Sequence, residues 1–530
     1  MALAAGALDD INRPGLMTIR GIISYAAVLS LVLLLQACTS LPQESEKQAS
    51  IAFADLDRSK LGRMALQASG PHKGKSGVFI QDTGLKAFLQ RAALIEAAEH
   101  SIDAQYYIWN SDVSGRYLAR RLLLAADRGV QIRLLLDDFN IAGRDALFDA
   151  LDSHPHIEIR IYNPFATREG PGKVLEAAGE FQRINRRMHN KTFVVDGAFG
   201  IVGGRNIGDE YFGLHPEVNF LDRDMLAAGP VVAEISDNFD HYWNSHAAYP
   251  VSDLAGKKWQ PAQVEQGLAA ARAAAGDTQG LECKPPQQAD AALAAVREWL
   301  SSLEWARAEL VFSEPVPEAL PSTDYPAATA VRLGELMRSS EHEVLIESAY
   351  FILGDRQLER TGQLTDQGVR VRAITNSLAS NDLIGNHAGY ARSRRSVLAN
   401  GIQLYELRPD GQICARCASG ACDGDVSLHA KTMVFDRRIL YVGSFNLNLR
   451  SIYLNGETTL IVHSPRLAAR VAGSIEKAMQ PDNSWEVLRD EGGALQWRAS
   501  DGIHHHEPAT SWWRRFKAAL VGLLPIEKYY

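Results

Sequence analysis

His189-Asn190-Lys191-Thr192-Phe193-Val194-Val195-Asp196 returns, 240 residues further on, as His429-Ala430-Lys431-Thr432-Met433-Val434-Phe435-Asp436. Seven residues after each aspartate begins a small-residue turn, Gly203-Gly204-Arg205-Asn206 in the first copy and Gly443-Ser444-Phe445-Asn446 in the second. Residues two apart on an extended strand share a face, so a His-x-Lys pair can address one anion. The glycines allow a tight turn that brings backbone and the Asn206 or Asn446 amide close to a phosphate, with Ser444 beside them in the second copy. A lone His-x-Lys is ordinary surface polarity in most proteins. Two full copies at the same internal spacing are not a chance match.

The repeat extends beyond the motifs. Glu99-His100-Ser101-Ile102 is matched by Glu341-His342-Glu343-Val344, and Asp127-Arg128-Gly129-Val130 by Asp366-Gln367-Gly368-Val369. The three blocks recur at offsets of 242, 239 and 240 residues. A near-constant offset over so long a stretch means two homologous domains rather than a solenoid. In each copy an apolar helical segment (residues 85–99 in the first) leads to a buried strand, a second helix and a further strand such as residues 132–136. That alternation predicts an α/β fold, two similar domains each with a mixed sheet flanked by helices. The expected boundaries are residues 77–250 and 326–480 for the domains, 251–325 for an Ala-rich helical connection, 38–76 for a tether and 481–530 for a tail.

The duplicated H-x-K-x4-D pattern resembles that of the phospholipase D superfamily, over about residues 77–479. The resemblance implies two domains packed about a pseudo-twofold axis, both motifs in one cleft, and catalysis through a phosphohistidine. It implies catalytic roles for His189, Lys191, Asp196, His429, Lys431 and Asp436. His189 is expected to attack phosphorus and His429 to act as general acid and base, although the two could exchange roles. Lys191, Lys431, Asn206, Asn446 and Ser444 are expected to hold the phosphate, because positive donors are what a reorganising phosphodiester needs. A nucleophilic imidazole needs an acceptor on its other nitrogen. Asp222 and Glu457 fall where such partners lie in similar proteins, with Asp224 and Glu217 as competitors. Asp196 and Asp436 are expected to brace the fold rather than touch substrate. The scheme requires no metal and no cofactor.

Ile102-Asp103-Ala104-Gln105-Tyr106-Tyr107-Ile108-Trp109, Leu136-Asp137-Asp138, Arg186-Arg187-Met188-His189 and Gly203-Gly204-Arg205-Asn206-Ile207-Gly208 resemble bacterial cardiolipin synthases, the C type in particular. That resemblance implies phosphatidylethanolamine as phosphatidyl donor and phosphatidylglycerol as acceptor. Transfer to water, a phospholipase D activity, stays open, because the motifs do not select the acceptor. A nuclease has the support of Arg183, Arg186 and Arg187 alone. The net charge of −8 opposes nucleic acid as a partner. A catalytically dead envelope protein would not need both motifs intact.

Arg20 precedes an apolar run, residues 22–35, short for a membrane span and suited to a signal-peptide core. It leads into Leu35-Gln36-Ala37-Cys38, which resembles the lipobox of bacterial lipoproteins. Residues 1–37 are therefore expected to be removed, with Met17 an alternative start, and Cys38 to carry lipid. Thr39 after it implies the outer rather than the inner membrane, facing the periplasm. Cys283, Cys414, Cys417 and Cys422 then remain, expected as disulfides or thiols rather than a zinc site. Residues 511–525 mix Trp, Arg and Leu, as an interfacial membrane helix or a terminal helix packed on the body would.

Overall fold

The computed structural model describes residues 47–140, 145–166, 180–254, 261–273, 285–319, 325–413 and 424–523. Cys38, Cys283, Cys414, Cys417, Cys422 and the signal segment lie outside the described residues.

The two repeats share one mixed sheet of 18 strands. At its centre the strands Ser76–Gln81 and Glu304–Phe312 pair antiparallel, Gly77 opposite Trp305. Outward from Ser76–Gln81 run Asp224–Ala228, Phe199–Gly203, Thr192–Val195, Ser101–Tyr106, Gln131–Asp137, Ile157–Tyr162 and Ala248–Pro250. Outward from Glu304–Phe312 run Thr458–His463, Ile439–Gly443, Lys431–Phe435, Glu343–Ser348, Arg370–Asn376, Gln403–Leu407 and Ser484–Arg489. The two orders match strand for strand, and the antiparallel central pair is what a twofold relation between them requires. Central strands such as Thr192–Val195 and Lys431–Phe435 are buried at every position because both faces are covered. Helices Val231–Trp243 and Pro465–Ala478 sandwich one shared core, in which Val194, Val202 and Met225 of the first half meet Val434, Val442 and Leu460 of the second. Helices Gly84–Ala97 and Val113–Asp127 cover the outer face of the first half.

Three boundaries differ from the sequence reading. The segment expected as a tether up to residue 76 is folded from Lys47 onward: Lys47 Nζ donates to Ala248 O (2.7 Å) and Ala52 N to Asp240 Oδ2 (2.8 Å). Helix Lys60–Ser69 then buries Leu61 and Ala65 in the first core. The connection expected to be helical carries the strand Glu304–Phe312 that joins the two halves. The expected tail supplies Ser484–Arg489 and Leu495–Ala499 to the sheet edge, burying Trp485 and Trp497. In each case apolar side chains at helix or strand spacing find a face that only the tertiary fold provides.

Candidate active site

Each histidine sits just ahead of its strand, where the chain is held by the opposite half. His189 N donates to Gly456 O (2.8 Å), and Met188 bridges Gly456 in parallel. His429 N donates to Leu221 O (2.8 Å), at the end of a two-stranded parallel pair, Asp425–Leu428 with Val218–Leu221. The next residue on each partner segment is a carboxylate. Glu457 Oε2 lies 2.9 Å from His189 Nδ1, and Asp222 Oδ2 lies 2.6 Å from His429 Nδ1. The halves thus exchange carboxylates, each orienting the other's imidazole. An ionised carboxylate only accepts, so Nδ1 carries the hydrogen and Nε2 keeps its lone pair.

Of the two competing carboxylates, Asp224 is buried against Arg91 Nη2 (2.9 Å) and Arg205, and Glu217 is exposed. Glu457 is further held by Ser451 Oγ (2.6 Å), Asn455 Nδ2 (3.2 Å) and Ser444 Oγ (2.5 Å). Ser444, expected at the phosphate, is fully buried, and its hydroxyl donates to Glu457 and accepts from Thr458 N (3.0 Å). In the first half its counterpart is Gly204, where a Cβ would stand 2.2 Å from Asp222 Oδ1. Asp222 is therefore admitted by a missing side chain, and Glu457 is bound by a present one.

Lys191 Nζ donates to His189 O (2.6 Å), and Lys431 Nζ donates to His429 O. Burial is the main force on both histidines and both lysines. It pushes His189 and His429 down to about 4, with neighbouring lysines adding to the effect and the paired carboxylates opposing it. It lowers Lys191 to about 7 and Lys431 to about 8 against the pull of Glu457 and Asp222. Lys431 acts on His189 and Lys191 on His429, so the two motifs form one electrostatic unit. For Asp222 and Glu457 burial acts upward, but the histidines and lysines outweigh it and hold both carboxyls below their ordinary range.

Asp196 and Asp436 point away from the histidines. Asp196 accepts from the amides of Glu99 (3.1 Å), His100 (2.8 Å) and Ser101 (2.9 Å). Asp436 accepts likewise from Glu341 (2.9 Å), His342 (2.8 Å) and Glu343 (2.8 Å). Both adopt left-handed backbone, φ +50° and +48°, which aspartate tolerates better than most residues. Asn206 Oδ1 accepts from Ile108 N (3.1 Å) while its amide donates to Tyr211 Oη (3.0 Å). Asn446 is buried, and its Oδ1 has no hydrogen-bond partner among the described residues.

Several residues that shape the site were not singled out by the motifs. Asp137 Oδ2 accepts from Met188 N (2.8 Å) and its carboxylate binds Arg187 Nε (3.0 and 3.1 Å), fixing the approach to His189. Asn376 does the same for His429, accepting from Leu428 N (2.8 Å) and donating to Leu428 O (2.7 Å). The repeat offset of 239 residues, which relates Asp137 to Asn376, is the signal that could have found this pair. Rings flank both imidazoles: Tyr107 meets His189 edge-on, and Phe220 stacks on His429 while Tyr211 meets it edge-on, all at 5.1 Å between centroids. Arg187 is buried under Tyr162 O (3.0 Å) and Asn163 O (2.8 Å), and Arg183 binds Asn163 Oδ1 (2.6 Å). The Arg187 side chain is thus wholly committed inside the fold, while Arg183 stays partly exposed.

A family model described as "Cardiolipin synthase, PLD-like domain" matches residues 92–243 and 333–479. The chain is 36% identical over 482 residues to cardiolipin synthase C of Escherichia coli, covering 88% of this chain and 99% of that protein. It is 26% identical over 426 residues to cardiolipin synthase A of Pseudomonas entomophila, covering 80% and 70% respectively. Among solved structures, phosphatidylserine synthase of Haemophilus influenzae shares the fold with a TM-score of 0.55 at 13% identity, covering 88% of this chain and all of that one. With both family matches falling on the two repeats and relatedness extending over nearly the whole chain, the protein belongs to the cardiolipin synthase family of phospholipase D-like enzymes.

Proposed function

We propose that the protein transfers a phosphatidyl group from phosphatidylethanolamine to phosphatidylglycerol, making cardiolipin. The observation that carries this reading is the pair of imidazoles, each with Nδ1 on a carboxylate of the opposite half and Nε2 left with its lone pair, beside two buried lysines. His189 Nε2 attacks phosphorus, an N–P bond forms, and the P–O bond to the head group breaks. The leaving oxygen takes a proton from His429. His429 then removes a proton from the acceptor hydroxyl, whose oxygen attacks phosphorus and breaks the N–P bond. A bound phosphodiester brings a negative charge to the lysines and histidines, which raises their pKa values and charges His429 for its first step. Lys191, Lys431, Asn206 and Asn446 hold the phosphate oxygens.

Access to lipid is supported by the C-terminal helix Trp512–Val521. It buries only Ala518 and leaves Trp512, Trp513, Phe516 and Leu520 exposed beside Arg515 and Lys517. Among the described residues no helix is long and apolar enough to cross a membrane. Lipidation at Cys38 and a periplasm-facing site at the outer membrane complete the reading, on the strength of the lipobox-like tetrapeptide.

The test is mass-spectrometric lipid analysis of the purified enzyme with phosphatidylethanolamine and phosphatidylglycerol in mixed micelles, beside His189→Ala and His429→Ala. Cardiolipin from wild type alone is the expected result. Phosphatidic acid alone would make the enzyme a hydrolase, and no lipid turnover would overturn the reading.

A further inference from the structure

The duplication allows the two helical layers to be compared position by position, and one cluster of differences changes how the helices pack. In the first half, helices Gly84–Ala97 and Val113–Asp127 are locked by an aromatic trio: Phe88 lies 5.4 Å from Tyr117 and 5.3 Å from Phe212, ring centre to ring centre. Their outer edge is closed by an ion pair between Glu96 and Arg121. At the repeat offsets of 242, 239 and 240 residues, Phe88 becomes Ala330, Tyr117 becomes Arg356 and Phe212 becomes Ile452. The ion pair becomes Arg338 with Arg360, two like charges where the first half has a matched pair.

The second half answers with a cavity of about 740 Å³ between helices Ala328–Arg338 and Asp355–Asp366. All five substituted positions line it, above an apolar floor that includes Leu333, Ile346 and Phe445. Losing an aromatic side chain from a packed interface leaves such a void unless the structure collapses or something fills it. The volume is within the roughly 300–1,000 Å³ of small-molecule sites. Arg356 and Arg360 have no ionic partner among the described residues, and Arg338 makes only a backbone contact, Nε to Gly334 O at 3.1 Å. An apolar interior under an uncompensated arginine rim is complementary to one kind of molecule, an amphiphile with an anionic head.

We propose that the cavity between helices Ala328–Arg338 and Asp355–Asp366 is a second lipid site, which takes an anionic phospholipid with its chain on Leu333, Ile346 and Phe445 and its phosphate at Arg338 and Arg360. None of these residues touches His189 or His429, and the site does not rest on the reaction proposed above.

The test is calorimetric titration of the full chain carrying His189→Ala, so that no lipid is consumed. The probes are dihexanoylphosphatidylglycerol, dihexanoylphosphatidylcholine and inorganic phosphate. Saturable binding of the glycerol lipid is expected, about tenfold tighter than that of the choline lipid, and undisplaced by phosphate. Ala330→Phe, which refills the void, and Arg338→Glu, which rebuilds the ion pair of the first half, should each weaken it by about tenfold. Arg338→Glu changes an exposed side chain and stays informative if Ala330→Phe unfolds. Wild-type affinity in Arg338→Glu, equal affinity for both lipids, or displacement by phosphate would each overturn the proposal. Because binding is read without turnover, failure here is distinct from failure to make cardiolipin.

Discussion

Asp222 Oδ2 lies 2.6 Å from His429 Nδ1, 207 residues further along the chain and in the other repeat. Glu457 closes the reciprocal contact with His189 at 2.9 Å. The carboxylates fix which nitrogen carries the hydrogen, so Asp222→Asn and Glu457→Gln allow the amide to present the wrong partner and stabilise the wrong tautomer. Each should lower kcat by about 10²–10⁴-fold with little change in KM. Steady-state kinetics on mixed micelles, with circular dichroism to establish folding, checks this.

The two orienting carboxylates are accommodated differently, and that difference is measurable. Gly204→Ala would drive a methyl group to 2.2 Å from Asp222 Oδ1, so the carboxylate must move. Ser444→Ala removes one of the hydrogen bonds to Glu457 and leaves those from Ser451 and Asn455. Gly204→Ala should therefore cost activity on the scale of Asp222→Asn, and Ser444→Ala only about tenfold, on the order of one lost hydrogen bond to a charged group. Comparing kcat for the two variants decides the point.

The pH dependence follows from burial. Above about pH 4 both free imidazoles are neutral, and below about 7 to 8 the lysines are charged. The profile of kcat/KM should rise through about pH 4 and fall through about pH 7 to 8. Stability should follow the histidines. Their native pKa lies below the unfolded 6.5, so the unfolded chain takes up protons first as pH falls from 6.5 to about 4, and stability drops through that window. The depressed carboxyls of Asp222 and Glu457 act in the same direction at lower pH. Thermal unfolding midpoints between pH 7 and 4 should decline, and less steeply in the double variant His189→Ala, His429→Ala.

Asp196 and Asp436 each hold three backbone amides, so Asp196→Ala or Asp436→Ala strands those donors. A stability loss of about 2–4 kcal/mol is expected for the fully buried Asp196, and less for the partly exposed Asp436. Denaturant titration reads this, and KM of the folded fraction should be unchanged.

The exposed face of Trp512, Trp513 and Phe516 should carry binding to vesicles. Replacing both tryptophans with alanine should weaken sedimentation with anionic vesicles by roughly tenfold while leaving phosphatidyl transfer between soluble, short-chain lipids unchanged.

Much of this site was legible in the sequence because its chemistry fixes residue types at short spacing. His189, Lys191, His429 and Lys431 belong to one duplicated pattern. The exchange of carboxylates between halves was not derivable from that pattern: Asp222 and Asp224 are two residues apart, and only the parallel pairing of Val218–Leu221 with Asp425–Leu428 decides which meets His429. The contact of Ser444 with Glu457 is likewise invisible in the motif, since pairing of Ile439–Gly443 with Thr458–His463 brings the two together. The alternation in Trp305-Ala306-Arg307-Ala308-Glu309-Leu310 was visible as a strand signal. The alanine-rich stretch before it masks that signal, because it reads as a helical connection.

The strand Glu304–Phe312 ties the second half to the first, since it pairs with Thr458–His463 on one side and Ser76–Gln81 on the other. A duplicated enzyme usually invites the picture of a clamshell, two shells parting about a hinge to admit a ligand. Here the would-be hinge is itself sewn into the fabric, and parting the shells would tear the backbone pairing of Glu304, Trp305 and Ala306 with Val78, Gly77 and Ser76. The enzyme is better likened to a keyhole than to a jaw.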